Sequence, residues 1–345
     1  MNSRLIYLDL CRFLAICGVI LVHVSLISES SIFISDSIAG LGRFGVQLFF
    51  AISGSTIYIS YNNLYTNHSH PLYAFYVRRL FRIIPLFVLM GLYYSTKSEY
   101  SFLNIISPTS GLDPRLINAI SGGWSIWNEI YFYLLFPLYF TLRNSVKAIF
   151  IFALVCLILT NVIHFRLFDL GTSRQMADFD YLNIFNQIIS FIIGVELMAK
   201  NTRNMAVFLI TYFLFGIGIK VFYFQKFLFV SDFGSSFYLS ILSFIVILLI
   251  KLISYLSIKY SAFCSSLIIS IFSKIGQITY TSYMIHFIII DLVKDFNIFD
   301  YGTEINFLII SMTTFSLSYL LKPLTEEHFA RLGYYLGEQK MLRRK

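Results

Sequence analysis

The stretch Arg12-Phe-Leu-Ala-Ile-Cys-Gly-Val-Ile-Leu-Val-His23 decides the fold, because it lies in an apolar segment running over residues 5–28. Eleven residues at roughly 100° each end some 20° past three full turns, so Arg12 and His23 share one helix face, about 16 Å apart along the axis. A cation inside a membrane helix costs about 2.5–3.5 kcal/mol on insertion scales. We therefore take the pair as a candidate site. The alternative is that Arg12 extends to the inner interface and His23 bonds a neighbouring helix.

Composition sets the class of protein. Apolar residues make up 57% of the chain and charged residues only 13%, about half the charged share of a soluble domain. A membrane helix needs roughly 20 apolar residues, and about ten such stretches occur. We predict an all-α, polytopic integral membrane protein with both termini in the cytoplasm. The predicted spans are residues 5–28, 42–61, 74–95, 122–141, 146–164, 182–199, 204–222, 236–255, 275–294 and 304–321.

The distribution of basic residues predicts the orientation. With the N-terminus inside, about twice as many Lys and Arg residues fall in inner loops and the C-terminal tail as in outer loops, as the positive-inside rule requires. The net charge of +8 is then a topology signal, and we expect no nucleic-acid partner. We predict a transmembrane domain over residues 1–322 and a short cytoplasmic tail over 323–345. The four cysteines lack metal-type spacing, so no metal site is expected.

A basic cluster, Arg78, Arg79 and Arg82, opens the third predicted span on its inner side. Arginines three and four residues apart lie close together on a helix and repel one another unless an anion is present. Because the guanidinium fork matches phosphate, the cluster favours a site for a phosphorylated cytoplasmic ligand. The alternative is an anchor for lipid headgroups.

Two further polar residues lie within apolar segments. Glu129 follows Trp124 in the run Trp124-Ser-Ile-Trp-Asn-Glu129, and a carboxylate there should contact a cation, a histidine or a substrate hydroxyl. His286 follows Tyr283 deep in the ninth predicted span. A hydrogen bond to a neighbouring helix is the alternative role for His286. Trp124 is also compatible with an interfacial aromatic belt.

Five motifs in order resemble the acyltransferase family 3 pattern over nearly the whole chain. These motifs are Asp9 with Arg12 through His23, Gly45-Val-Gln-Leu-Phe-Phe-Ala-Ile-Ser-Gly54, Arg78-Arg79-Leu-Phe-Arg82-Ile-Ile-Pro85, Trp124 to Glu129, and Ile278-Thr-Tyr280 to His286. Three positions depart from the pattern: Ile130 where a second acidic residue is common, Leu321 where a glutamate is expected near Lys322-Pro323, and Ser55 where an aromatic is usual.

The resemblance implies transfer of an acetyl group from cytoplasmic acetyl-CoA to a hydroxyl of a cell-surface glycan or lipid-linked oligosaccharide, in a bacterial inner membrane. Membrane lipids would surround the protein, and no permanently bound cofactor is implied.

The residues then take expected roles. Arg78, Arg79 and Arg82 would hold the coenzyme's phosphates. His23 would be the general base or transiently accept the acetyl group. Arg12 would orient the donor or stabilise developing charge, and Glu129 would fix a tautomer or the acceptor. Substrate contact or support would come from Asp9, Trp124, Tyr283 and His286.

Two other classes of protein remain open from the sequence. A glycan polymerase or flippase would also be polytopic and aromatic-rich, but it would be expected to carry larger outer loops and would need no phosphate site inside. A secondary transporter would be expected to show related halves and interrupted helices in corresponding positions. Binding of a CoA thioester at the inner arginines is the property that separates these classes.

Overall fold

All of the regular secondary structure in the part that the computed structural model describes is helical, and no strand occurs there. The described residues are 5–28, 36–113, 116–162, 181–223, 236–260, 267–295 and 302–342. The predicted domain ends, residues 1–4 and 343–345, and the last two residues of the predicted span 146–164 lie outside them. The helices are α1 Ile6–Ser25, α2 Asp36–Gly40, α3 Phe44–Asn67, α4 Pro71–Ser95, α5 Phe102–Ile106, α6 Gly123–Leu142, α7 Val146–Val162, α8 Ile184–Met198, α9 Thr202–Tyr223, α10 Ser236–Lys259, α11 Leu267–Gln277, α12 Thr279–Asp295, α13 Thr303–Lys322 and α14 His328–Leu342.

The prediction of an all-α polytopic membrane protein is confirmed. Four described helical segments are long and apolar enough to cross a membrane: Ile6–Ser25, Ile38–Asn67, Phe237–Lys259 and Thr303–Glu338. Shorter apolar helices cover Val146–Thr160, Ile184–Met198 and Thr202–Gly218. The count of ten spans and the cytoplasmic termini stay predictions. We call the end of the bundle that holds Ile6 and Asn67 the inner end, following the predicted orientation.

Glycines allow α1, α3 and α8 to pack with their backbones in contact. A Cβ at Gly194 in α8 would overlap the carbonyl oxygen of Ala51 in α3, and a Cβ at Gly54 would overlap the carbonyl oxygen of Phe191. Ser55 strengthens the same crossing by donating a hydrogen bond to the Gly194 carbonyl at 2.9 Å. Close approach through small residues is a common basis of helix association in membranes. This crossing sets the rotation of α3 and therefore the direction of Ser53.

The predicted span 275–294 is wrong at its beginning, because two helices meet there. Helix α11 ends at Gln277 and α12 begins at Thr279. The Thr279 hydroxyl donates to the Gly276 carbonyl at 3.1 Å, which satisfies a carbonyl at the end of α11. Helix α11 packs along α1, where the Phe272 ring stacks on Phe13 with centroids 4.4 Å apart.

The predicted tail is mostly helical and packs on the bundle. A π-helical turn, Pro323–Glu327, follows α13 and leads into α14, which lies along the inner half of α4. A Cβ at Gly333 would meet the Phe81 side chain, so the two helices approach closely there. The segment after Lys322 therefore contributes residues to the region around the basic cluster.

Candidate active site

A partly open cavity with a volume of about 90 Å³ lies between α1, α3, α4, α6 and α12. Its wall combines aromatic and aliphatic side chains with three arginines and one glutamate. Binding pockets commonly have such a composition, in which an apolar wall carries a few charged groups that orient a ligand. The polar and aromatic lining includes Arg12, Phe49, Phe50, Ser53, Thr56, Arg79, Arg82, Ser125, Glu129, Tyr133, Thr279, Tyr280 and Tyr283.

Arg79 is the most enclosed arginine of the predicted cluster. It is only 9% exposed, and its guanidinium lies 5.8 Å from the ring centre of Tyr133 and 5.9 Å from that of Phe75. It forms no ion pair with any residue that the structure describes. A buried guanidinium that packs on rings and forms no ion pair with a described residue retains capacity for a charged ligand.

Arg82 and Arg12 reach the same cavity but already hold carboxylates. Arg82 pairs with Glu326 at 3.2 Å, and Arg12 pairs with Asp9 at 2.7 Å. Asp9 also accepts a hydrogen bond from Ser273 at 3.3 Å, which ties α1 to α11. Asp9 is thus placed as a support for Arg12. The carboxylates neutralise part of the charge without removing the arginines from the cavity wall.

Arg78 does not join the other two arginines of the cluster. Its guanidinium pairs with Glu338 at 3.4 Å and lies 4.5 Å from the ring centre of Tyr334, both on α14. It lines a second, more open groove of about 550 Å³ at the inner end. Arg12 borders both the groove and the cavity. The cationic surface therefore runs from the groove into the interior.

Glu129 is held by two hydroxyl groups of the protein. Ser53 from α3 and Tyr133 from α6 each donate to its Oε1 atom at 2.5 Å. Its second oxygen, Oε2, is not engaged by either hydroxyl. The predicted contacts were a cation, a histidine or a substrate hydroxyl, whereas the structure supplies hydroxyls from the chain itself. Ser53 therefore faces the cavity, whereas its neighbour Gly54 makes the close contact with α8.

Glu326 is a site residue that the sequence argument missed. It is 5% exposed, pairs with Arg82 and accepts a 3.5 Å hydrogen bond from the Thr281 hydroxyl. The family pattern led us to expect a glutamate near Lys322-Pro323. The π-helical turn directs Glu326 inward, although it follows that proline by three residues. Glu326 was not identified from the sequence, because this residue lies in the predicted cytoplasmic tail and outside the predicted transmembrane domain.

The two histidines meet beyond the cavity, toward the outer end. The ring centroids of His23 and His286 are 5.5 Å apart, and Phe287 lies 4.4 Å from the His23 ring. Neither histidine lines the cavity, but Tyr283 does, and its ring centre is 5.5 Å from that of His286. The Tyr283 hydroxyl donates to the Gly122 carbonyl at 3.2 Å. Tyr283 and His286 therefore connect the cavity to His23.

Trp124 packs behind the cavity wall. Its ring lies edge-on to Phe50 at 6.0 Å and 5.3 Å from Tyr181. The ring is buried within the bundle. Its contacts support the wall residue Phe50.

These features define a class: a polytopic helical membrane protein whose interior holds a cavity lined by cations, which shares Arg12 with a groove at one end. A family model described as an acyltransferase domain matches residues 5–322. The chain therefore belongs to acyltransferase family 3 and is a membrane acyltransferase. No curated protein and no solved structure matches it.

Proposed function

We propose that this protein is a membrane O-acetyltransferase of a bacterial inner membrane. It would move an acetyl group from cytoplasmic acetyl-CoA to a hydroxyl of a cell-surface polysaccharide or its lipid-linked precursor, such as an O-antigen or capsule. One observation carries the proposal: Arg12, Arg79 and Arg82 line one internal cavity in a chain of an acyltransferase family. Such a cavity suits a polyanionic acyl donor.

The groove and the cavity suggest how the donor lies. The nucleotide end would occupy the groove beside Arg78, because this groove is the wider and more open of the two spaces. The phosphates would meet Arg12 and Arg79, with Arg82 beside them. The pantetheine arm would then extend past Tyr283 toward His23. Arg12 lies about 16 Å from His23 along α1, so it would act on the donor's anionic part and not at the reacting carbon.

His23 would carry the chemistry by one of two routes. In the direct route, its ring nitrogen takes the proton from the acceptor hydroxyl while that oxygen attacks the thioester carbonyl carbon. The C–S bond breaks and the CoA thiolate takes up the proton. In the covalent route, the nitrogen itself attacks the carbonyl carbon and releases the thiolate. The acceptor oxygen then attacks the acyl group and breaks the C–N bond, and the proton of the acceptor hydroxyl passes to the CoA thiolate.

Glu129 and Glu326 would serve the donor cavity. Glu129 is held by Ser53 and Tyr133, and Glu326 holds Arg82. Both would keep the cavity from accumulating uncompensated positive charge when no donor is bound. A role for Glu129 in setting a histidine tautomer has no support from these contacts.

Acetyl transfer from radiolabelled acetyl-CoA into surface polysaccharide tests the proposal. Membranes from a native-like host carrying the wild type would be compared with His23→Ala, Arg79→Ala and Arg331→Ala at equal expression. Arg331 is the matched control, because its side chain is 77% exposed on α14. We expect His23→Ala to abolish transfer and Arg331→Ala to leave it unchanged.

Arg79→Ala should raise the KM for acetyl-CoA by about 10-fold or more, since a hydrogen bond to a charged group contributes about 1.5–3 kcal/mol. Wild-type membranes that incorporate no label, together with no protection of the protein by CoA against proteolysis, would overturn the proposal.

A further inference from the structure

The hydrogen bond of His286 settles which of its ring nitrogens carries the proton. Its Nδ1 atom lies 2.6 Å from the backbone carbonyl oxygen of Tyr283, one helical turn earlier. A carbonyl oxygen only accepts hydrogen bonds, so Nδ1 must be the donor. In the neutral imidazole, Nε2 then carries a lone pair. The backbone of α12 therefore determines that Nδ1 of His286 donates a hydrogen bond and that Nε2 accepts one.

The Nε2 atom of His286 is a buried acceptor that no described residue satisfies. The side chain is 0% exposed, and Nε2 has no hydrogen-bond partner in the described structure. A buried polar atom without a partner costs about 1–3 kcal/mol, and such atoms are few in folded proteins. A donor that approaches this atom would recover that free energy.

His23 is the polar side chain placed to supply the donor. Its ring centre is 5.5 Å from that of His286. Phe287 packs on both imidazoles, with centroid distances of 4.4 Å to His23 and 4.2 Å to His286. At this separation, a ring rotation of His23 or one bridging water would bring its N–H within reach of the Nε2 lone pair.

We propose that His286 is a positioning residue for acyl transfer, which accepts a hydrogen bond from the N–H of His23 and so fixes the His23 tautomer. This inference rests on the proposed function. Hydrogen bonds would then run in series from the Tyr283 carbonyl through the imidazole of His286 to His23, and we call this series the relay. The second ring nitrogen of His23 is thereby left with its lone pair available for reaction.

The same arrangement serves both chemical routes. In the direct route, that nitrogen takes the acceptor proton, and His286 stabilises the imidazolium through the N–H hydrogen bond until the proton passes to the CoA thiolate. In the covalent route, that nitrogen attacks the thioester carbonyl, and the N–H proton of His23 moves to Nε2 of His286 as the acyl-imidazole forms. Breakdown of the acyl-imidazole by the acceptor breaks the C–N bond and returns that proton to His23, and the hydroxyl proton goes to the CoA thiolate released in the first step.

The kinetic test uses three variants. His286→Phe keeps a ring of similar size but removes the acceptor. His286→Gln restores the polarity, because its amide N–H can donate to the Tyr283 carbonyl while its oxygen accepts from His23. His328→Phe is the control, since His328 is exposed at the start of α14. We expect His286→Phe to lower kcat by at least about 100-fold, with the KM for acetyl-CoA within twofold of the wild type, and His286→Gln to recover at least tenfold of that loss.

Histidine ring ¹⁵N NMR of the purified protein gives a second readout that does not depend on activity. The chain has six histidines, and the spectra of His23→Ala and His286→Phe assign the two rings. We expect a single neutral tautomer for His23 in the wild type and a mixture in His286→Phe. A wild type that shows this dependence but transfers no acetyl group would overturn the proposed function alone. Unchanged His23 signals, or equal kcat in His286→Phe and the wild type, would overturn the relay.

Discussion

At the scale of single residues, the site depends on how each charged side chain is paired. Arg82 and Arg12 are held by Glu326 and Asp9, whereas Arg79 packs on the rings of Phe75 and Tyr133 and forms no ion pair with a described residue. Arg79 is therefore the cavity arginine best placed to bind an incoming anion. Glu129 provides the opposing charge, and its orientation depends on two hydroxyl groups.

Glu129→Gln tests the charge of that carboxylate separately from its shape. The glutamine oxygen can still accept from Ser53 and Tyr133, so we expect the melting temperature in detergent to stay within a few degrees of the wild type. Loss of the negative charge leaves the arginines more positive. We therefore expect kcat to fall by about tenfold or more, with a KM for acetyl-CoA that is unchanged or lower. A raised KM with normal kcat would instead assign Glu129 to donor binding.

At the scale of helices, the crossing of α3 and α8 is the contact that positions Ser53. Gly54 and Gly194 bring the two backbones together, and Ser55 bonds across the crossing. A second link joins α6 to α8, where Arg143 donates two hydrogen bonds, at 3.1 and 3.0 Å, to the buried carboxylate of Glu196. Helix α8 thus holds both α3 and α6, which carry the partners of Glu129.

Gly194→Ala should weaken this crossing. Its methyl group would overlap the Ala51 carbonyl, and overpacking of this kind costs about 1–3 kcal/mol or more. We expect a lower melting temperature and reduced transfer activity. Gly218→Ala in α9 is the control, because a Cβ there meets nothing within 4 Å. That variant should be neutral or slightly stabilising, since alanine favours a helix by about 1 kcal/mol over glycine. Equal melting temperatures for the two variants would contradict the role of the crossing.

Arg143→Ala should destabilise the protein more than loss of a surface arginine. It leaves the carboxylate of Glu196 buried without its guanidinium, and breaking a buried pair costs about 3–5 kcal/mol. Thermal unfolding of Arg143→Ala and of the exposed control Arg331→Ala gives the comparison. Adding Glu196→Gln to Arg143→Ala should recover part of the lost stability, because it removes the unpaired negative charge of Glu196. If the double variant is no more stable than Arg143→Ala, that unpaired charge is not the cause of the destabilisation.

At the scale of the whole molecule, the groove, the cavity and the histidine pair lie in that order from the inner end of the bundle toward its outer end. The groove lies at the inner end beside Arg78, and His23 lies near the outer end of α1. The arrangement is consistent with a donor that enters on one side and an acceptor that meets it toward the other. The orientation of the bundle in the membrane determines which of the two sides is cytoplasmic.

Labelling of introduced cysteines by a membrane-impermeant maleimide tests that orientation in intact cells. Leu103→Cys in α5 is suited to the predicted outer side, because Leu103 is 73% exposed. Arg331→Cys in α14 represents the predicted inner side. We expect the first to react in intact cells and the second only after permeabilisation. The wild type gives the background from its four native cysteines, of which Cys11 and Cys156 are buried and Cys17 is half-buried. The reverse pattern would invert the topology and the proposed direction of transfer.

Much of the fold was predictable because lipid imposes a simple rule: a spanning helix must be long and apolar. The predicted span 182–199 corresponds closely to α8, Ile184–Met198. The break at Ile278 was not predictable from hydropathy, because it separates two helices of similar apolar character. It depends on the end of α11 and on the Thr279 hydroxyl that satisfies a carbonyl there.

The sequence by itself determined the class of protein and the residue types available for chemistry, because composition, helical periodicity and motif order are local properties of the chain. Only the tertiary structure decided which of those residues meet. It turned Arg78 away from Arg79, brought Glu326 to Arg82, placed Ser53 on Glu129 and set His286 beside His23. The physical reason is that side-chain direction depends on helix rotation and crossing, and contacts between residues distant in the chain set both.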